Sequence, residues 1–136
     1  MFVFCPPEES ASEHERILEI EESLVQALGL PYRVVNIAAG DLGGSATKKY
    51  DIEAWYPAQG RYREITSCSN TTDYQARRLD VRFRGDHGLQ LVHTLNGTAA
   101  TARAMLAILE NFQDESGSVA VPEALRPFGA PERIGG

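Results

Sequence analysis

Residues 50–68, YDIEAWYPAQGRYREITSC, carry the reading of the fold. Tyr50 to Tyr56 and Arg61 to Cys68 are rich in β-branched and aromatic residues, and Pro57-Ala-Gln-Gly60 between them has the length and composition of a hairpin loop, so the stretch predicts two antiparallel strands. Strict alternation puts Tyr62, Glu64, Thr66 and Cys68 on one face of the second strand and Arg61, Arg63, Ile65 and Ser67 on the other. Neither set is an apolar stripe. Two explanations stand open: an edge strand in water, or a face that lines a ligand cavity.

Downstream, residues 94–113, TLNGTAATARAMLAILENFQ, place a polar strand end, a run of small residues and Arg103 directly before an apolar helix. Asn96 or Thr98 can cap the exposed N–H groups, and Ala99, Ala100 and Ala102 leave room for a charged ligand near the positive end of the helix dipole. Met105, Ile108, Leu109 and Phe112 recur at helical spacing and predict the face anchored in a core, with Arg103 projecting away from it.

Upstream, Met1 to Cys5 reads as a strand that Pro6-Pro7 ends. A helix follows, with Ser12 and Glu15 as a capping box and Ile17, Ile20, Leu24 and Leu28 as its buried face; the acidic remainder is expected in solvent. Tyr32 to Ala38 predicts another strand, and the loop GDLGGSATKK after it lacks the spacing of a phosphate-cradling P-loop, leaving Lys48 and Lys49 as surface charges. A turn or short helix is expected over Thr72 to Leu79. Val81 to Arg84 and Leu89 to Leu95 then read as a hairpin around Gly85-Asp86-His87-Gly88, and the tail after Gln113 as loop with a short apolar stretch, Val119 to Val121.

The 136 residues suit one domain, and a net charge of −6 argues against a protein that coats nucleic acid. Charge is uneven: seven glutamates and one arginine lie between Glu8 and Glu22, whereas Arg61 to Arg84 holds six arginines against three acids. Cys5 and Cys68 form no CxxC pair, so neither a zinc knuckle nor a redox motif is suggested. MFVFC is too short for the apolar core of a signal peptide and no run approaches a membrane span, which predicts a soluble, cytoplasmic protein.

His14, His87 and His93 have no spacing that gives a metal site or a triad with Cys68. What remains is Glu64 beside the hydroxyls of Thr66, Ser67 and Ser69, with arginines in reach. Carboxylate and hydroxyl oxygens suit Mg²⁺, and arginine suits phosphate; such a set performs phosphate chemistry by positioning and charge neutralisation. Glu64 and Ser67 have opposite strand parity, so both reach one metal only if the strand bulges between them.

GRYREITSCSNTTDYQARRLDVRFR followed by TLNGTAATARAMLAILENFQ resembles the C-terminal half of the catalytic domain of bacterial seryl-tRNA synthetases, which are class II aminoacyl-tRNA synthetases. LGLPYRVVNIAAGDLGGSATKKYDIEAWYPAQGRYREITSCSN and the closing VPEALRPFG are similar to the same family. The resemblance implies an α+β fold, an antiparallel sheet flanked by helices, that forms seryl-adenylate from L-serine and ATP and transfers serine to tRNA(Ser). It implies ATP contacts from Glu64, Ile65, Thr66 and Ser67, Mg²⁺ ligation by Glu64 and Ser67, substrate-serine contacts from Thr98 and Asn96, and a grip on the ATP γ-phosphate by Arg103.

By the same resemblance, residues 1–136 correspond to the C-terminal part of the catalytic domain. The tRNA-binding arm, the first class II motif of the homodimer interface and the second motif, whose arginine holds the α-phosphate, are not in this sequence. Thr98 to Arg103 is one residue shorter than in many relatives. The expectation is a ligase in the complete enzyme and no serine activation by the isolated chain; a non-catalytic binding module and an amino-acid ligase that loads a carrier protein are the alternatives.

Overall fold

The structure is a computed structural model and describes residues 1–86 and 88–135. Five strands form one antiparallel sheet in the order β1-β7-β4-β3-β2: β1 (Phe2–Cys5), β2 (Tyr32–Asn36), β3 (Lys48–Tyr56), β4 (Arg61–Asn70) and β7 (His93–Gly97). Helices α1 (Ser10–Ala27) and α3 (Ala102–Phe112) cover one face, where Ile17, Leu18 and Val25 of α1 and Ala107 of α3 share a core with Ile52, Ala54, Ile65, Cys68 and Leu95 of the sheet. A short helix α2 (Tyr74–Leu79), a two-stranded hairpin of β5 (Arg82–Gly85) with β6 (Gly88–Leu91), and a small pair of β8 (Val119–Ala120) with β9 (Arg133–Ile134) complete the described elements. The antiparallel, helix-flanked sheet agrees with the α+β expectation.

The β3–β4 hairpin forms where it was expected and runs longer, with Gly60 in the left-handed region (φ 60°) closing the loop after Pro57–Gln59. The Leu89 to Leu95 segment is not one strand. It breaks at Val92, so that β6 pairs in the small hairpin while β7 enters the main sheet between β1 and β4. His87, at the tip of the expected hairpin turn, lies outside the described residues.

Helix α1 corrects the sequence reading in two respects. Its N-terminus has no capping box: Glu9 is the N-cap without a side-chain cap bond, and the Ser12 hydroxyl donates to Glu9 O at 2.8 Å. Its buried stripe is Ser10, His14, Ile17, Leu18, Glu21 and Val25, whereas Ile20 and Leu24 stay 36% and 41% exposed. Both stripes have helical periodicity and share Ile17, and hydropathy prefers the one without charges.

Gly97 on β7 explains why the other stripe is buried. A Cβ there would lie 2.5 Å from Ile17 Cγ2 and 2.7 Å from Glu21 Oε1, so the missing side chain creates the slot into which this side of α1 packs. His14 fits the same face as a packing residue: its ring stacks on Tyr50 with centroids 5.1 Å apart, its Nε2 lies 3.2 Å from Cys68 O, and burial holds its pKa below the usual imidazole value.

Candidate functional site

The open face of the sheet is organised by a bulge in β4. Ile52 of β3 pairs with Thr66 and Glu53 pairs with Glu64, so Ile65 is an extra residue with no cross-strand mate. The alternation read from sequence fails here. Ile65, Thr66 and Cys68 all turn into the core, while Glu64 and Ser67 emerge together on the opposite face, beside Glu53 and Asp51 of β3. The parity conflict between the two expected metal ligands is removed.

Strand β7 adds the remaining residues. Ser69 pairs with Asn96, and beyond the end of β7 the Thr98 N–H donates to Ser67 O at 3.1 Å, which extends the ladder by one step. Asn96 and Thr98 therefore stand next to Ser69 and Ser67 on the open face. Thr98 is exposed and Asn96 half-buried, so both can meet a ligand.

Arg103 reaches the same place from the first turn of α3. Its Nη1 donates to Glu64 O at 3.0 Å and lies 3.2 Å from Glu64 Oε2. The cap of α3 is neither Asn96 nor Thr98, as the sequence suggested, but Thr101, whose Oγ1 accepts from the Arg103 N–H at 3.2 Å and donates to Ile65 O at 2.8 Å. Asn96 lies inside β7 and Thr98 is held by Ser67, so neither is at the helix end. Tyr56 adds a third tie by donating to Arg103 O at 2.6 Å. The carbonyls of the bulge thus receive the hydroxyl and guanidinium at the start of α3, which links the position of Arg103 to that of Glu64.

The face that anchors α3 also differs from expectation. Ala104 and Ala107 are its buried residues, Ile108 and Phe112 pack against the core, and Met105 is 66% and Leu109 38% exposed, because small side chains let the helix lie close on β3 and β4. Met105 and Leu109 face the C-terminal segment with Val121, Leu125 and Ile134.

Among the described residues the open face carries three carboxylates near Ser67, each beside a cation: Asp51 with Lys49 at 2.6 Å, Glu53 with Arg33 at 2.6 Å, and Glu64 with Arg103. Lys49 is thus tied to the site, and Lys48 instead pairs with Glu15 at 2.6 Å. Partly exposed pairs of this kind contribute ~1 kcal/mol or less, so an incoming phosphate can displace Glu64 from Arg103 at little cost. No cluster of three or more His, Cys, Asp or Glu suited to a metal occurs among the described residues. Any divalent ion here would take two protein oxygens, from Glu64 and Ser67, and fill its shell with water or phosphate, which is ordinary for Mg²⁺.

Ile65 and Thr66 contribute differently from the other expected ATP contacts. Their side chains are buried, at 1% and 3% exposure, on the helix-covered side, which leaves only their backbone for a ligand on the open face. Sequence reading missed Glu21 altogether. It is fully buried below Gly97 and Thr66, neither carboxyl oxygen has a hydrogen-bond partner among the described residues, and desolvation raises its pKa to about 7 against the partial relief given by Thr66. Its place in an acidic helix run hid it. The only sequence signal was its i+4 spacing from Ile17.

The chain is similar to proteins of one family. Residues 1–112 match the tRNA synthetase class II core domain (G, H, P, S and T) family. The serine–tRNA ligase of Rubrobacter xylanophilus is 58% identical over 99% of the chain, and that of Thermobifida fusca 59% over 94%. The chain spans about a third of these relatives, 32% and 31% of their lengths. The crystal structure of the Pyrococcus horikoshii seryl-tRNA synthetase complexed with ATP superposes with a TM-score of 0.94 at 54% identity, over 98% of this chain and 30% of that one.

Proposed function

We propose that this chain, which belongs to the class II tRNA synthetase core domain family, supplies the ATP-phosphate and serine side of a serine–tRNA ligase. One observation carries the reading: the Ile65 bulge gathers Glu64, Ser67, Thr98 and Arg103 on one open face. In the ligase formed with the rest of the domain, Arg103 grips the γ-phosphate of ATP, and the backbone of Ile65 and Thr66 borders the nucleotide. Thr98 and Asn96 contact L-serine. Glu64 and Ser67 hold Mg²⁺, which when bound neutralises phosphate charge.

The chemistry follows from charge and position. An adenylation needs the serine carboxylate in line with the α-phosphate while negative charge leaves on pyrophosphate, and a guanidinium fixed at the γ-phosphate stabilises that departure without proton transfer. Transfer to tRNA(Ser), a homodimeric assembly and a cytoplasmic setting belong to the same proposal. No described helix is long and apolar enough to cross a membrane.

A graft tests the reading. Residues 1–136 replace the matching segment of the Rubrobacter xylanophilus enzyme, and amino-acid-dependent ATP–pyrophosphate exchange is measured. Serine should support exchange, and Arg103→Ala should abolish it. A folded graft that responds to another amino acid, or to none, overturns the proposal.

A further inference from the structure

Glu21 is a carboxyl group with no evident reason to be where it is. It is 0% exposed, and among the described residues both of its oxygens and the buried Thr66 Oγ1 lack hydrogen-bond partners. The three unpaired atoms sit under the end of β7. A Cβ on Gly97 would come 2.7 Å from Glu21 Oε1, and Thr66 and the Thr98 backbone are the polar groups that bear on the carboxyl.

A carboxylic acid and a hydroxyl can satisfy one another, since each offers one O–H donor and acceptor lone pairs; a carboxylate offers acceptors only. An ionised, unpaired carboxylate enclosed here would cost several times more than the neutral acid. The charged groups around it do not change that balance. On β3, Asp51 disfavours ionisation; just before β1, the Met1 amino group favours it but is engaged by Gly97 O at 2.7 Å; on β4, the Cys68 thiol is itself pushed up to about 12 by burial and then by Glu21; on its own helix, burial lowers the pKa of His14 and so disfavours its charged form.

We propose that Glu21 is a positioning residue for the amino-acid side of the site: in its protonated form it bridges α1 to Thr66 and to the Gly97–Thr98 backbone, and so sets where the Thr98 hydroxyl stands. It touches no substrate. The inference rests on the ligase reading for the identity of that substrate, but the placement of Thr98 does not depend on it.

Two variants separate this role from mere packing. Glu21→Leu fills the same space without polar atoms, and Glu21→Gln keeps a neutral donor and acceptor. In the graft described above, Glu21→Leu should melt no lower than the parent yet raise KM for serine at least about fivefold, the low end of typical coupling between sites, with a clearly smaller change in KM for ATP, which meets only the Thr66 backbone. Glu21→Gln should keep the parent's serine KM.

A Glu21→Leu graft with the parent's serine KM overturns the proposal, and so does a rise shared equally by ATP. If no amino acid drives exchange in the parent graft, the ligase reading fails instead. The amide resonances of Thr66, Gly97 and Thr98 in the 136-residue chain then decide the question. They should shift together near neutral pH in the parent and not in Glu21→Gln; constant shifts in the parent, or titration that survives Glu21→Gln, overturn the positioning role.

Discussion

Gly97→Ala is the sharpest test of how α1 and the sheet fit together. The added methyl would meet Ile17 Cγ2 at 2.5 Å, Glu21 Oε1 at 2.7 Å and Cys68 Cβ at 3.3 Å. Ile17 is 1% and Glu21 and Cys68 are 0% exposed, so none of the three can swing into solvent, and α1 must lift from β7. Overpacking of a dense core costs ~1–3 kcal/mol, and two contacts below 3 Å put this site at about 3 kcal/mol. That is a large part of the ~5–15 kcal/mol expected for a domain, and it lowers Tm by roughly 10 °C.

Urea unfolding followed by the fluorescence of the single tryptophan, Trp55, reports the change as a lower midpoint at unchanged slope. Ile17→Ala removes the closest atom, so the double variant should recover about 1–2 kcal/mol relative to the sum of the single changes. A Gly97→Ala chain within about 0.5 kcal/mol of the parent, the range of an ordinary surface substitution, would refute the packing account, as would strict additivity with Ile17→Ala.

Stability should also depend on pH through Glu21. The unfolded carboxyl loses its proton near its ordinary value of 4.5 and the folded one near 7, so stability falls as pH rises between these values, by about 3 kcal/mol in all, and is level above. Glu21→Gln should flatten that slope in urea titrations at pH 4.5, 6 and 8. Thr101→Ala removes both the α3 cap and the bond to Ile65 O and should cost ~1–2 kcal/mol by the same assay. In the graft, Arg103→Lys should fall nearly as far as Arg103→Ala in pyrophosphate exchange, because an ammonium cannot reproduce the planar fork; full activity of the lysine variant would remove the geometric argument. Glu64→Gln should raise the Mg²⁺ concentration needed for half-maximal exchange by ~10-fold or more, read from a metal titration, with serine KM unchanged.

Much of this molecule was legible one segment at a time. The alternating strands and the Pro57–Gly60 loop are local patterns that yielded the hairpin, and a carboxylate beside hydroxyls and an arginine before an apolar helix marked Glu64, Ser67 and Arg103, whereas the antiparallel helix-flanked sheet and the substrate contact of Thr98 were expected from the family resemblance. Two features resisted because they depend on contacts between distant segments. Which stripe of α1 is buried depends on a missing side chain at Gly97, some eighty residues away, and hydropathy alone prefers Ile20 and Leu24. Which face Glu64 shares depends on pairing register: one unpaired residue, Ile65, reverses the parity of everything before it, and its carbonyl is held by Thr101 from another element. A period-two pattern carries no record of such a slip. The residues of the site were written in the chain, and their convergence on one face came from the bulge that packing against α3 sustains.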